Sequence, residues 1–264
     1  MSADKVAQAA DWLFAARRER QRFAALPAAL RPADDKEAYA MQAALQHRLQ
    51  AAQGPLAGGK IALTTPQMQK LVGYDRPIAG GLLAKTIHRG FVELPATAFL
   101  HPGIECEVAV ELARPLGKTG APHTAESVAG AVAACMAAIE LVDDRAADYA
   151  NIDAATLIAD NAFNHGSVLG QRVRAWRELD LPAARGVIRI DGREVGHGKG
   201  GDVMGGHPFA ALAWLANHAA AFGYDLAAGD VVLTGSLVVT QWATRGQTVE
   251  IEIEGLGTAG IRFV

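Results

Sequence analysis

Apolar and polar residues alternate with two different periods along the chain, and the change of period divides it. Residues 4–25 and 34–52 combine Ala, Leu, Gln, Glu and Arg with little β-branching, which predicts two helices. Pro32 and Asp34 to Asp35 mark the start of the second, and Gly54-Pro55 marks its end. From Gly58 onward Gly and Pro punctuate short β-branched runs such as LVGYDRPIAGG, FVELPATAFL and IECEVAVEL, which predict strands. An Ala-rich run predicts a third helix from Thr124, as N-cap, to about Ala138, followed by the strand-like IELVDD. VIRIDGREVGHGK reads as a hairpin turning at Asp191-Gly192. PFAALAWLANHAAAFG reads as a helix with Pro208 in its first turn and Gly223 at its end. DVVLTGSL, QTVEIEIEGLG and AGIRFV close the chain as strands. Helices that cluster early and then stand singly among consecutive strands favour an α+β fold over alternating βαβ units. The expected organisation is a helical region over residues 1–55 and a β-rich catalytic region over 56–264, forming one compact unit.

Composition narrows the partners. The chain has 264 residues, enough for one large domain or two small ones, and 54 of them are Ala, so its apolar half contains less bulky side chain than it suggests. With 25 basic against 28 acidic side chains, there is no positive field to displace counterions, and a sequence-independent nucleic-acid binder is excluded. Cys106 and Cys135 are too far apart for a CxxC knuckle and too few for a disulfide framework, so a reducing cytoplasm is expected. The opening residues are interrupted by Asp11 and a dense charged run, and no apolar run reaches the length of a span; neither a signal peptide nor a membrane partner is expected. The absence of HExxH, P-loop and GxSxG motifs removes zincins, Walker-type NTPases and standard α/β-hydrolases.

Several segments can carry chemistry. In His101-Pro-Gly-Ile-Glu-Cys-Glu-Val-Ala-Val-Glu-Leu112, strand alternation sets Ile104, Cys106, Val108, Val110 and Leu112 on one face and Glu105, Glu107, Ala109 and Glu111 on the other. Two carboxylates roughly 6.5–7 Å apart at Cα can converge on one hard cation. The ordinary reading of such a pattern is a solvated sheet face. Val249-Glu-Ile-Glu-Ile-Glu254 shows the same alternation, and spacing does not choose between the two. Glu140, placed where the Ala-rich helix would give way to IELVDDR, is a third acidic candidate, with the solvated end of an element as its ordinary reading. Lys60, in GGKIALTT, has an apolar flank that can desolvate the amine and lower its pKa; the alternative is an exposed edge lysine. Thr64, Thr65 and Gln69 add polar groups nearby. Gly196, Gly198 and Gly201 formally satisfy GxGxxG, but no helix opens at the third glycine, so the segment reads as a mobile or ligand-covering loop. His165 and His207 stand alone and read as structural histidines.

Taken together, GKIALTTPQMQKLVG, IECEVAVEL, AAIELVDDR, ADNA, GHPFAALAWLA, DVVLTGSL and IEGLG, in that order, resemble the 2-keto-4-pentenoate hydratase and 4-oxalocrotonate decarboxylase group of the fumarylacetoacetate hydrolase superfamily. The resemblance implies that group's mixed β-roll with flanking N-terminal helices. It implies a divalent ion, Mg²⁺ or Mn²⁺, held by Glu105, Glu107 and Glu140, with Lys60 and Asp160 as catalytic or site-supporting residues. Substrate contacts are implied at Thr65, Gln69 and the segment Thr234, Gly235, Ser236 and Leu237. The implied substrate is a small 2-oxo or 2-hydroxydienoic acid of aromatic meta-cleavage catabolism. The implied assembly is a homo-oligomer, with association with a pathway enzyme as a further expectation. Hydration of a 2-hydroxydienoate is the first reading and decarboxylation of a vinylogous 2-oxo diacid the second, since Pro77 is followed by Ile78 where some hydratases of the group carry an acid. Acylpyruvate-type C–C hydrolysis and a non-turning-over oxo-acid-binding subunit complete the alternatives.

Overall fold

A computed structural model describes residues 2–264. Helices α1 (Ala3–Arg18) and α2 (Asp35–Gln53) are followed by β1 (Leu56–Ala62), α3 (Pro66–Val72), β2 (Ile78–Leu83), β3 (Ile87–Arg89), β4 (Phe91–Leu94) and β5 (Pro102–Leu112). Next come α4 (Ala125–Ala129), β6 (Val132–Asp143), α5 (Ala154–Ala159), β7 (Asn164–Leu169), β8 (Arg185–Ile190) and β9 (Arg193–Lys199). The chain closes with α6 (Pro208–Phe222), β10 (Val231–Ser236), β11 (Gln241–Trp242), β12 (Thr248–Ile253) and β13 (Gly257–Phe263). This is the expected α+β arrangement: an eight-stranded mixed sheet ordered β2-β1-β10-β5-β6-β7-β3, with β11 on β5, and a five-stranded sheet ordered β4-β13-β12-β8-β9. Among the described residues, no helix is long and apolar enough to cross a membrane.

Local chemistry explains most boundaries. Asp34 caps α2 by accepting from the Glu37 amide at 2.8 Å. Pro208 opens α6, and left-handed Gly223 (φ 81°) ends it. Asp191 (φ 51°) and Gly192 (φ 76°) form the β8–β9 turn with both central residues at positive φ. The first helix stops at Arg18 rather than running to residue 25: Arg20 turns to positive φ (51°), and the Phe23 amide bonds the Arg145 carbonyl at 3.0 Å.

The Ala-rich segment departs most from expectation. Thr124 does cap a helix, but α4 ends at Ala129 and the rest of the run is β6, paired with β5 on one side and β7 on the other. Alanine's helix propensity is worth only tenths of a kcal/mol per residue and yields here to a central position buried on both faces.

Strand β5 is likewise buried on both faces. Its Ile104, Cys106, Val108 and Val110 pack with Val249, Ile251 and Ile261 of the smaller sheet. Its opposite face carries Ala109 into a second cluster with Leu82, Met136, Ala138, Leu169 and Leu233. Glu105 and Glu107 lie on that second face, as does Glu140 on β6, so the alternation of β5 marks two interiors rather than an inside and an outside. On β12, by contrast, Glu250 and Glu252 are exposed, as is Glu254 just beyond it, while Val249, Ile251 and Ile253 are buried, which is the ordinary half-solvated pattern.

Candidate active site and metal centre

Register assembles the acidic cluster. Glu105 is the direct β5–β6 partner of Glu140, and Glu107 is two positions farther along β5 opposite Ala138. One carboxylate oxygen from each of the three lies within 4.8 Å of the others. Glu140 therefore comes from the middle of a strand, not from beyond a helix. Glu107 and Glu140 are fully buried and Glu105 is partly exposed, so the cluster opens to solvent at one end.

Each carboxylate is held by a different element. Thr240 donates to Glu105 Oε1 at 2.6 Å, the Gly235 amide to Glu107 Oε2 at 2.7 Å, and Asn164 Nδ2 to Glu140 Oε1 at 3.0 Å. Lys60 Nζ lies 2.9 Å from Glu140 Oε1 and donates to the Ala162 carbonyl at 3.3 Å. Glu107 Oε1 and Glu140 Oε2 are buried with no hydrogen-bond partner. Buried carboxylate oxygens left bare beside a third carboxylate are costly unless a cation takes them up, and an all-oxygen donor set suits a hard divalent ion. The cluster fits such an ion.

The electrostatics correct one expectation. Burial alone pulls the Lys60 amine down, but Glu140, Glu105 and Glu107 outweigh it, and the ammonium is held above its ordinary value. Burial raises Glu107 well above the usual carboxylate range, and the neighbouring Glu140 and Glu105 push the same way. Glu140 is also raised by burial, against the pull of Lys60.

A cavity of about 360 Å³ opens from the cluster and is lined by Lys60, Thr65, Glu105, Ser236 and Leu237 among the residues singled out above. Thr65 also caps α3. Three others sit behind that wall. Thr234 is buried and donates to the Val108 carbonyl at 2.8 Å, Gly235 reaches inward only through its amide to Glu107, and Gln69 donates to the Leu63 carbonyl at 2.9 Å. Asp160 is farther back, fully buried, with Oδ2 3.0 Å from Arg145 Nη1 and 3.4 Å from Arg17 Nη1. It closes α5 immediately before Asn161, Ala162 and Phe163, three consecutive residues at positive φ (61°, 50° and 61°). That turn delivers the Ala162 carbonyl to Lys60, so Asp160 meets the site through backbone.

Sequence reasoning missed Asn164 and Thr240, which hold two of the three carboxylates, and Tyr149, Asp202 and Trp242 on the cavity wall. Trp242 stacks on His101 at 4.0 Å, and His101 Nδ1 is hydrogen-bonded to buried Asp144 at 2.8 Å. Asn164 sits beside His165 in a segment already singled out, but its role depends on the β6–β7 register. The glycine-rich segment is not a loose loop: Gly196–Lys199 is strand. A Cβ on Gly198 would lie 1.8 Å from the Leu237 carbonyl oxygen, so glycine there permits close backbone approach rather than phosphate binding. His207 caps α6 by accepting from the Phe209 amide, and His165 lies against Phe99.

Residues 83–264 match the fumarylacetoacetate (FAA) hydrolase C-terminal family, and the chain belongs to that family. Over 249 residues it is 36% identical to a 2-keto-4-pentenoate hydratase of Paraburkholderia phymatum, covering 94% of this chain and 93% of that protein. It is 29% identical over 229 residues to 4-oxalocrotonate decarboxylase of Pseudomonas putida, covering 86% and 85%. The 4-oxalocrotonate decarboxylase of Pseudomonas putida G7, solved with magnesium and adipate, shares the fold with a TM-score of 0.92 over 100% of this chain and 99% of that one, at 24% identity.

Proposed function

We propose that this chain is a divalent-metal-dependent hydro-lyase that adds water to a 2-hydroxy-2,4-dienoate, giving a 4-hydroxy-2-oxo acid. The observation that carries this reading is the trio Glu105, Glu107 and Glu140, the last two fully buried and each with an unpartnered oxygen, set beside Lys60 where a cavity opens. The identity to hydratases along nearly the whole chain supports it. Mg²⁺ is the ion proposed, with Mn²⁺ as the substitute. When bound, the ion supplies a Lewis acid for a chelating 2-oxo carboxylate.

The chemistry divides between two proton movements and one addition. The dienol gives up its O2 proton and gains one at C5, which leaves a C3=C4 double bond conjugated to the C2 carbonyl. Water then adds its oxygen to C4 and a proton to C3; one water is consumed and no electrons are exchanged. Lys60, held as an ammonium, offsets the surplus of negative charge and presents an Nζ proton at the cluster. Gly235, Thr240 and Asn164 fix the carboxylates so that little reorganisation accompanies the reaction. Ser236 and Thr65 offer hydroxyls to the substrate carboxylate or the incoming water. Asp160, through Arg17 and Arg145, positions the turn that holds Lys60.

The test is loss of dienol absorbance with Mg²⁺ and a 2-hydroxydienoate, with the 4-hydroxy-2-oxo acid identified as product. Stoichiometric CO₂ from a diacid would replace this reading with the decarboxylase, which has a relative over 86% of the chain in its favour.

A further inference from the structure

One wall of the cavity is uniformly apolar. Leu63, Val72, Val142, Leu157, Ala162 and Phe163 all line it and all belong to one buried apolar cluster. At the rim, Met68, Val239 and Trp242 are 38%, 82% and 38% exposed, so three large apolar side chains meet water beside the opening. Exposed apolar groups gathered around a cleft mark a surface that a ligand covers. The charges on the wall point the same way. Lys60 is the one cation among the described lining residues, and it is 2% exposed and already paired with Glu140. The two lining acids are Glu105, in the cluster, and Asp202, exposed near the opening. The remaining polar lining residues, Thr64, Thr65, Gln67, Tyr149, Ser236 and Thr240, are neutral.

We propose that the site selects monoacids: 2-oxo or 2-hydroxydienoic acids whose far end is a short, uncharged alkyl group, and that it rejects substrates with a second carboxylate there. This rests on the oxo-acid reading of the same site. A distal carboxylate would leave water for an aliphatic wall with no free cation, and would meet Asp202 on the way in. An ionised group desolvated without a partner is strongly disfavoured, whereas an alkyl tail gains from the same wall. Met68 and Asp202 at the rim and Leu157 and Phe163 within are the selecting residues.

The test compares 2-oxohexanoate with 2-oxohexanedioate, which differ at the far end, by calorimetry on the Mg²⁺-loaded protein. The monoacid is expected to bind at least about tenfold more tightly. Equal affinity, or preference for the diacid, overturns the inference. Met68→Arg, at an exposed position that folding tolerates, is expected to raise diacid affinity about tenfold by supplying the missing cation, and Asp202→Asn to raise it less. An unchanged ratio in Met68→Arg overturns the assignment of that wall. Turnover separates this inference from the reading beneath it. Monoacid-selective binding without loss of dienol absorbance sinks the hydratase and leaves the selectivity standing, whereas equal turnover of mono- and diacid dienols does the reverse. Failure of both acids to bind overturns the oxo-acid reading itself and this inference with it.

Discussion

Glu105 and Glu140 face each other as register partners across the β5–β6 ladder, within the interior of the larger sheet. Like charges set directly opposite one another destabilise a sheet, and burial deepens the cost. Lys60 compensates one carboxylate, and a dication would compensate the other two. The cluster therefore stores instability in the ion-free protein that binding of the proposed ion would release.

Neutralising one member should uncouple stability from function. Glu107→Gln keeps an acceptor for the Gly235 amide and is expected to stabilise the metal-free protein by about 1–2 kcal/mol while abolishing Mg²⁺-dependent turnover. The wild type should gain thermal stability with Mg²⁺, and Glu107→Gln should not. Glu252→Gln, on the solvated face of β12, should change neither; equal effects at both positions would remove Glu107 from the proposed metal site.

Lys60→Met preserves bulk and removes the ammonium. It should lower kcat by roughly a hundredfold or more. It should also destabilise the metal-free fold by about 3 kcal/mol, because Glu140 is left buried and unpaired. Undiminished turnover at a temperature where the variant is folded would remove Lys60 from the chemistry.

Asp160→Asn tests positioning. Arg17 and Arg145 would lose their shared buried counter-charge, and a stability loss of about 3–5 kcal/mol is expected from urea unfolding. Because Asp160 meets the site through the Asn161–Phe163 turn, kcat should fall while the affinity for a 2-oxo acid stays near its original value. A parallel fall of both would mean that Asp160 contacts the ligand.

Acid should unfold the protein through half-buried histidines. Burial holds His165, helped by Arg17, and His218 down at about 4 against an ordinary value of 6.5. Between those limits the unfolded chain binds more protons than the folded one, so stability rises with pH. It is accordingly lost as pH falls from 6.5, with the loss complete below about 4. Each histidine contributes roughly 1–3 kcal/mol after allowing for partial solvent access. Urea midpoints measured across this range should fall, and His218→Gln should flatten the slope.

The acidic pair and Lys60 stood out as candidates by spacing and flanks, and the family motifs then favoured IECEVAVEL over VEIEIEG. The structural basis of that choice is burial: the second face of β5 meets Ala109, Met136 and Leu233, not water. No local signal carries that, since both strands alternate equally well. Helix caps at Asp34 and Gly223 and the Asp191-Gly192 turn were legible for the opposite reason, being settled within a few residues. The run Val132–Ala138 misled because its alanines obey a partner on each side rather than their own propensity, while the strand-like IELVDD after it continues the same strand. Asn164 and Thr240 were invisible because each reaches its carboxylate from another element of the fold.

The three proposed ion ligands stand on two central strands locked by neighbours on both edges, whereas Met68 and Leu157 sit on the short helices α3 and α5 and Asp202 on a connecting segment. Mutational drift can therefore retune which tail is accepted while the reactive floor stays put. A scaffold divided in this way is suited to diversify across a series of related acids without reinventing its chemistry.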